Sequence, residues 1–144
     1  ADVARHRDVL GAGAGRPRLL ALHGRGSNSD ITAIQLSSLG VASRVAVDCL
    51  SGPVAAPPQH EVFRALSDGD FFAWTDGALS PEALLPALRG LLAFVEEHGP
   101  YDGLYGFSQG ALVVSALSAP GVAEALGGAR TWRWVVCACG VHAA

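Results

Sequence analysis

The chain has 144 residues, half of them apolar, with a formal net charge of −3 and a mean hydropathy of +0.32. That length holds one domain with enough apolar material to bury both faces of a sheet. The mildly acidic balance leaves no basic surface for nucleic acid, and no apolar run reaches the ~18 residues of a membrane-spanning helix.

Residues 1–17 read as an N-terminal extension that closes on the glycine-rich loop 11–17. Residues 1–8 are polar and show no secretory leader pattern. The chain contains no methionine, so residue 1 is not an initiator. A dinucleotide-binding glycine fingerprint has to follow a strand and open a helix, and loop 11–17 does neither. Arg18-Leu19-Leu20-Ala21-Leu22-His23 is apolar without alternation, the pattern of a parallel strand buried on both faces. It breaks at Gly24-Arg25-Gly26. Ser29 or Asp30 then offers a cap for a helix carrying Ile31, Ile34, Leu36 and Leu39, with Gly40 closing it. Residues 44–48 form the next strand, and strand, helix and strand imply a right-handed parallel crossover.

Residues 49–80 hold no period, and their prolines and glycines predict a long connection on the pocket side of the domain. Its one apolar cluster, Phe71-Phe72-Ala73-Trp74, has two readings: rings that plug the edge of the core, or the wall of a substrate pocket. Ser80-Pro81-Glu82 starts a helix with a cap, a proline at the first position and an acid in the first turn. Leu84, Leu85, Leu88, Leu91, Leu92 and Val95 share its apolar face, Pro86 predicts a kink or a later start, and Gly99-Pro100 ends it. Residues 101–105 read as a short strand, 111–117 as a buried helix, 122–126 as a further helical turn, and 134–139 as a last strand. Cys137 and Cys139 sit two apart on that strand and read as reduced core thiols, which predicts an intracellular compartment, cytoplasmic or an organellar lumen. The alternation is α/β throughout, with a parallel sheet and helices on both faces.

Between strand 101–105 and the helix after it lies Gly106-Phe107-Ser108-Gln109-Gly110, a G-x-S-x-G pentapeptide. With 18 glycines in the chain the pattern alone carries modest weight. Its setting, strand before and helix after, is what points to a nucleophile elbow. Such a turn strains the serine backbone and presses the residues two positions away against facing elements, so Gly106 and Gly110 remove a collision. The hydroxyl is then presented at the carboxyl edge of the sheet, over a helix N-terminus. The plain alternative is a glycine-rich strand-to-helix turn that happens to contain a serine.

Three segments together resemble a known family. Residues 20–26 are similar to the strand and H-G turn that precede the oxyanion loop of α/β-hydrolases. Residues 100–111, Pro-Tyr-Asp-Gly-Leu-Tyr-Gly-Phe-Ser-Gln-Gly-Ala, resemble the signature of the FSH-type serine hydrolases, relatives of the acyl-protein thioesterases and carboxylesterases. The cluster at 71–74 is similar to a segment these enzymes carry before the helix that leads to the elbow. The resemblance covers about residues 18–142, so 18–144 is expected to be part of an α/β-hydrolase domain. It implies Ser108 as nucleophile, with the backbone N–H groups of Gln109 and Arg25 as oxyanion donors. His23 and Gly24 would support the oxyanion loop, the His23 ring holding it rather than serving as base. Phe71, Phe72 and Trp74 keep both readings, core plug or pocket wall. No metal and no organic cofactor is implied.

In that fold the catalytic acid and histidine follow the serine along the chain. The segment that would match them is not in residues 1–144. Asp48 is expected two strands from the elbow, about 10 Å away, and His60 and His98 fall in a loop and at a helix end. His142 follows the last strand at the correct edge and is the remaining candidate base, although no acid is available to orient it. Two functions are therefore expected: an esterase or thioesterase working through an acyl-enzyme on a small ester, or an inactive hydrolase-derived subunit that docks into a larger assembly. A last strand with an exposed apolar edge would suit a protein partner.

Overall fold

The computed structural model describes residues 7–11 and 15–140. The chain runs β1 (Arg7–Leu10), β2 (Arg18–Leu22), α1 (Ser29–Ser38), β3 (Ala46–Leu50), β4 (Val54–Ala55), α2 (Phe63–Leu66), β5 (Phe72–Ala73), α3 (Pro81–His98), β6 (Gly103–Phe107), α4 (Gln109–Ser118), α5 (Val122–Ala125) and β7 (Trp134–Ala138). Among the described residues the main sheet has the order β1-β3-β2-β6-β7. Strands β3, β2, β6 and β7 are parallel, and β1 is antiparallel to β3. The four parallel strands are those the sequence predicts. Residues 7–10 are a correction, since they form β1 and not an extension: four residues opening on Arg-Asp carry no hydrophobic period to detect. Strand β3 starts two residues later than expected because Arg44 and Val45 still donate to the Val41 carbonyl, at 3.0 and 3.2 Å.

Successive residues of a strand face opposite sides of the sheet. Leu20 and Leu22 of β2 join Leu50, Leu104 and the apolar sides of α3 and α4 in one core. Leu19 and Ala21 join Val47, Cys49, Tyr105 and Leu36 of α1 in the other. This is why β2 reads as an unbroken apolar run.

Helices α3 and α1 show where local chemistry was readable. In α3 the Ser80 hydroxyl accepts from the Ala83 amide at 3.2 Å, and Pro81 opens the helix. The helix also continues through Pro86, whose lost hydrogen bond would have gone to Glu82; both residues are exposed, so water can satisfy that carbonyl. The cap of α1 is Asn28, not Ser29 or Asp30: Asn28 Oδ1 accepts from the Ile31 amide at 3.0 Å. Ser29 is already the first helical residue, and its buried hydroxyl has no hydrogen-bond partner among the described residues, while the Asp30 carboxylate is engaged elsewhere. The Ser29 amide donates to Ser51 Oγ at 3.0 Å, and Asp30 accepts from Ser67 Oγ at 2.6 Å.

The connection after β3 is tied to the body. Strand β4 pairs antiparallel with β5. Asn28 Nδ2 donates to Ser67 Oγ at 3.0 Å and to the Asp70 carbonyl at 3.1 Å. The thiols also differ from expectation. Cys137 and Cys139 are exposed and only Cys49 is buried, since β7 lies at the sheet edge among the described residues. No described helix is long and apolar enough to cross a membrane.

Register positions the site. Leu22 pairs with Leu50 and Gly106, and Phe107 with Ala138, so the parallel strands end together at one edge. From β2 the chain moves to β3 on one side and later returns to β6 on the other. The turns after β2 and β6 therefore diverge at a crevice, the usual place for a ligand in an open α/β sheet.

Candidate active site

Ser108 sits between β6 and α4 with φ 52° and ψ −114°. A non-glycine residue is held there at a cost of about 1–3 kcal/mol. Its neighbours impose the conformation. The Ser108 amide donates to the Ala138 carbonyl of β7 at 2.9 Å, and its carbonyl accepts from the Ala111 amide at 3.0 Å as α4 begins. A Cβ on Gly110 would stand 2.5 Å from the carbonyl oxygens of Leu22 and His23, and one on Gly106 would strike the Gly110 backbone. Gln109 is the first residue of α4, so its N–H is one of the helix's unpaired donors, at the positive end of the helix dipole.

The turn after β2 comes up against this elbow. A Cβ on Gly24 would lie 3.2 Å from the Ser108 Cβ. His23 is 1% exposed, and both of its ring nitrogens are engaged. Nε2 accepts from the Gly52 amide at 2.9 Å, which leaves the proton on Nδ1, where it is donated to the Gly24 carbonyl. Burial pushes the His23 ring down from 6.5 to about 4, outweighing the raising effect of the Gly24 bond. The ring is therefore neutral at pH 7 and has no nitrogen left for Ser108. A trans peptide points its N–H opposite to its C=O, so holding the Gly24 carbonyl against His23 turns the Arg25 N–H away from the ring. Arg25, Ser108 and Gln109 line one cleft of about 410 Å³, a size suited to a small ligand.

The rest of the cleft departs from expectation. Phe71, Phe72 and Trp74 do not wall it; they are 6%, 8% and 1% exposed and belong to the interior. The apolar lining comes from Phe63, Leu79, Phe107 and Leu112, and polar lining from Gln35, Gln59 and His60. Of these only His60 drew notice in the sequence, as a loop residue. Gln35, Gln59 and Leu79 carry no motif that could have marked them. His98 ends α3 with its ring 4.3 Å from Phe94, at the opposite edge of the sheet. Asp48 pairs in register with Leu20, level with Leu104, well short of the elbow. It is buried there under Arg18, at 3.3 Å, and the Tyr101 hydroxyl. His142 lies outside the described residues. No hydrogen bond ties Ser108 Oγ to a described residue, and no group of three described His, Cys, Asp or Glu residues could hold a metal ion.

A family model described as serine hydrolase (FSH1) matches residues 14–144. The chain belongs to that family. Esterase FUS5 of Gibberella moniliformis is 36% identical over 111 residues, covering 71% of this chain and 48% of that protein. The chain spans about half the length of the curated relatives it matches. Among solved structures, a carboxylesterase from Mesorhizobium loti superposes with a TM-score of 0.54 at 26% identity, over 79% of this chain and 55% of that one. The Bacillus cereus carboxylesterase gives a TM-score of 0.59 at 21% identity, over 91% and 57%, a likeness of fold. Family membership and these neighbours establish an α/β-hydrolase fold, of which these residues form a part.

Proposed function

We propose that the full-length protein is a serine hydrolase acting on carboxylic esters or thioesters, with Ser108 as nucleophile and the N–H groups of Arg25 and Gln109 as oxyanion donors. Ser108 Oγ attacks the carbonyl carbon and passes its proton to a base outside the described residues, where His142 also lies. The carbonyl electron pair moves onto oxygen, where two preorganised N–H donors lower the barrier by a few kcal/mol. Collapse expels the alcohol or thiol with the proton returned to it, leaving an acyl ester on Ser108. Water repeats the sequence and frees the acid. The largely apolar cleft beside Ser108 suits a small acyl group.

The observation that carries this reading is the left-handed backbone of Ser108 at a strand-to-helix junction, with the Gly24 turn pressed against it. Held strain of this kind gathers at reactive sites. Treatment of the full-length protein with a fluorophosphonate probe is expected to label Ser108, and Ser108→Ala is expected to abolish both labelling and hydrolysis of a p-nitrophenyl ester. Ester turnover that survives Ser108→Ala would end the proposal.

A further inference from the structure

Two limbs of the backbone carry the proposed oxyanion donors, and one short segment bridges them. The limb with Arg25 leaves β2 and is stitched to β5: the Gly26 amide donates to the Phe72 carbonyl at 2.8 Å, and the Phe72 amide donates to the Ser27 carbonyl at 2.8 Å. The limb with Gln109 is the start of α4. Trp74, directly after β5, reaches both. Its indole Nε1–H donates to the His23 carbonyl at 2.8 Å, and its ring lies 5.3 Å from the His23 imidazole. Its backbone N–H donates to Gln109 Oε1 at 2.8 Å. The other end of the Gln109 amide, Nε2, donates to Thr75 Oγ1 at 3.2 Å, and that hydroxyl donates onward to the Ala78 carbonyl at 2.9 Å. His23, Trp74, Thr75 and Gln109 are all buried.

We propose that Trp74 is a positioning residue: together with the Gln109 side chain it forms a crosspiece that sets the separation of the Arg25 and Gln109 N–H donors. The inference rests on the esterase reading above. Its chemistry is specific. Indole carries a single donor at the far end of a large apolar body, so it can fill the interior and still hold the His23 carbonyl, which Phe71 and Phe72 cannot do. Because the Trp74 N–H fixes Oε1, the Gln109 amide has one orientation, and its backbone is anchored to the same segment that anchors the Arg25 turn. Oxyanion donors act only within a few tenths of an ångström of the correct place, and a misplacement of about 1 Å can reduce a rate by about a hundredfold.

The test uses the full-length protein. Trp74→Phe keeps an aromatic ring but removes the indole N–H together with part of the bicyclic ring. It leaves the buried His23 carbonyl without its partner and a small void beside it, so a Thr75 pair serves as the packing-neutral control. With p-nitrophenyl butyrate, kcat is expected to fall by about ten- to a hundredfold while KM changes by less than about twofold. A trifluoromethyl ketone forms a tetrahedral adduct with an oxyanion on the same serine, and its affinity is expected to fall by the same factor as kcat/KM. Thr75→Val should move both readings in the same direction, and Thr75→Ser, which keeps the hydroxyl, should restore them. A folded Trp74→Phe with unchanged kcat and unchanged ketone affinity overturns the proposal. If Trp74→Phe does not fold, the Thr75 pair decides, and equal rates for Val and Ser overturn it. A wild-type protein that hydrolyses no ester and labels nowhere sinks the esterase reading first and the crosspiece role with it, which sets that failure apart from the other two.

Discussion

His23 is held by two backbone groups in one neutral tautomer, and its burial keeps the ring near a pKa of about 4, against 6.5 for an ordinary histidine. The folded value lies below the unfolded one. The stabilisation is therefore complete above pH 6.5 and is lost as pH falls from 6.5 through about 4, because the unfolded chain takes up a proton that the folded ring refuses. Urea unfolding of the full-length protein between pH 7 and 4.5 is expected to show a loss approaching about 3 kcal/mol from this group. An imidazole signal for His23 that titrates near 6.5 in the folded state would contradict it. Gly110 presents a different constraint at the same junction. An alanine there places a methyl group 2.5 Å from two carbonyl oxygens. Gly110→Ala is expected to reduce stability by about 1–3 kcal/mol and, by shifting the first turn of α4, to lower kcat at least about tenfold, read from thermal unfolding and ester turnover on the same sample.

At the scale of elements, α3 separates stability from chemistry. It lies away from the cleft, and Leu91 within it is fully buried. Leu91→Ala is expected to cost about 2–5 kcal/mol, and loss of the cap in Ser80→Ala about 1 kcal/mol, both in denaturant unfolding and both without a change in kcat. This helix also shows what the sequence makes legible. Its cap and first-turn proline are local signals and lie where the sequence places them, as does the leucine face apart from Leu85, which is exposed. The same holds for β2, β6 and β7, whose apolar runs are long enough to read, and for the elbow, whose pentapeptide has a strand and a helix on either side. Strand β1 is four residues with a polar start, and only its pairing with β3 makes it a strand. The cap of α1 fell to Asn28 because the helix already includes Ser29, and Ser67, far along the chain, takes the Asp30 carboxylate. Trp74 and Gln109 are 35 positions apart, and no spacing rule could have joined them. The aromatic cluster was legible as apolar, with core plug and pocket wall both open, since the choice depends on which side of β5 the cleft opens.

Across the whole molecule, the parallel register puts the proposed site and the reinforcement at opposite edges of the sheet. At the amino edge Asp102 accepts from the Arg18 amide at 2.8 Å and pairs with Arg133 at 2.9 Å, joining β2, β6 and β7. The Arg18 amide bond, reinforced by Arg133, holds the Asp102 carboxyl below its usual 3.8. Its contribution is present above that value and is lost as pH falls through the lower folded one. Asp102→Asn is expected to be less stable than the parent at pH 7, with the gap narrowing below pH 3.8, as unfolding titrations would show. At the carboxyl edge a different experiment applies. A chain of residues 1–144 is expected not to take up a fluorophosphonate, since no described residue hydrogen-bonds to Ser108 Oγ; stoichiometric labelling abolished by His142→Ala would give the role of base to His142. The 51–80 connection supplies Gln59, His60, Phe63, Gly77 and Leu79 to the cleft while leaving the amino edge untouched. Substrate range can therefore drift by mutation in that connection while the opposite edge holds the fold constant. Directed evolution for new esters should find its gains there, and stabilising changes around Asp102 should add to them without trading one for the other.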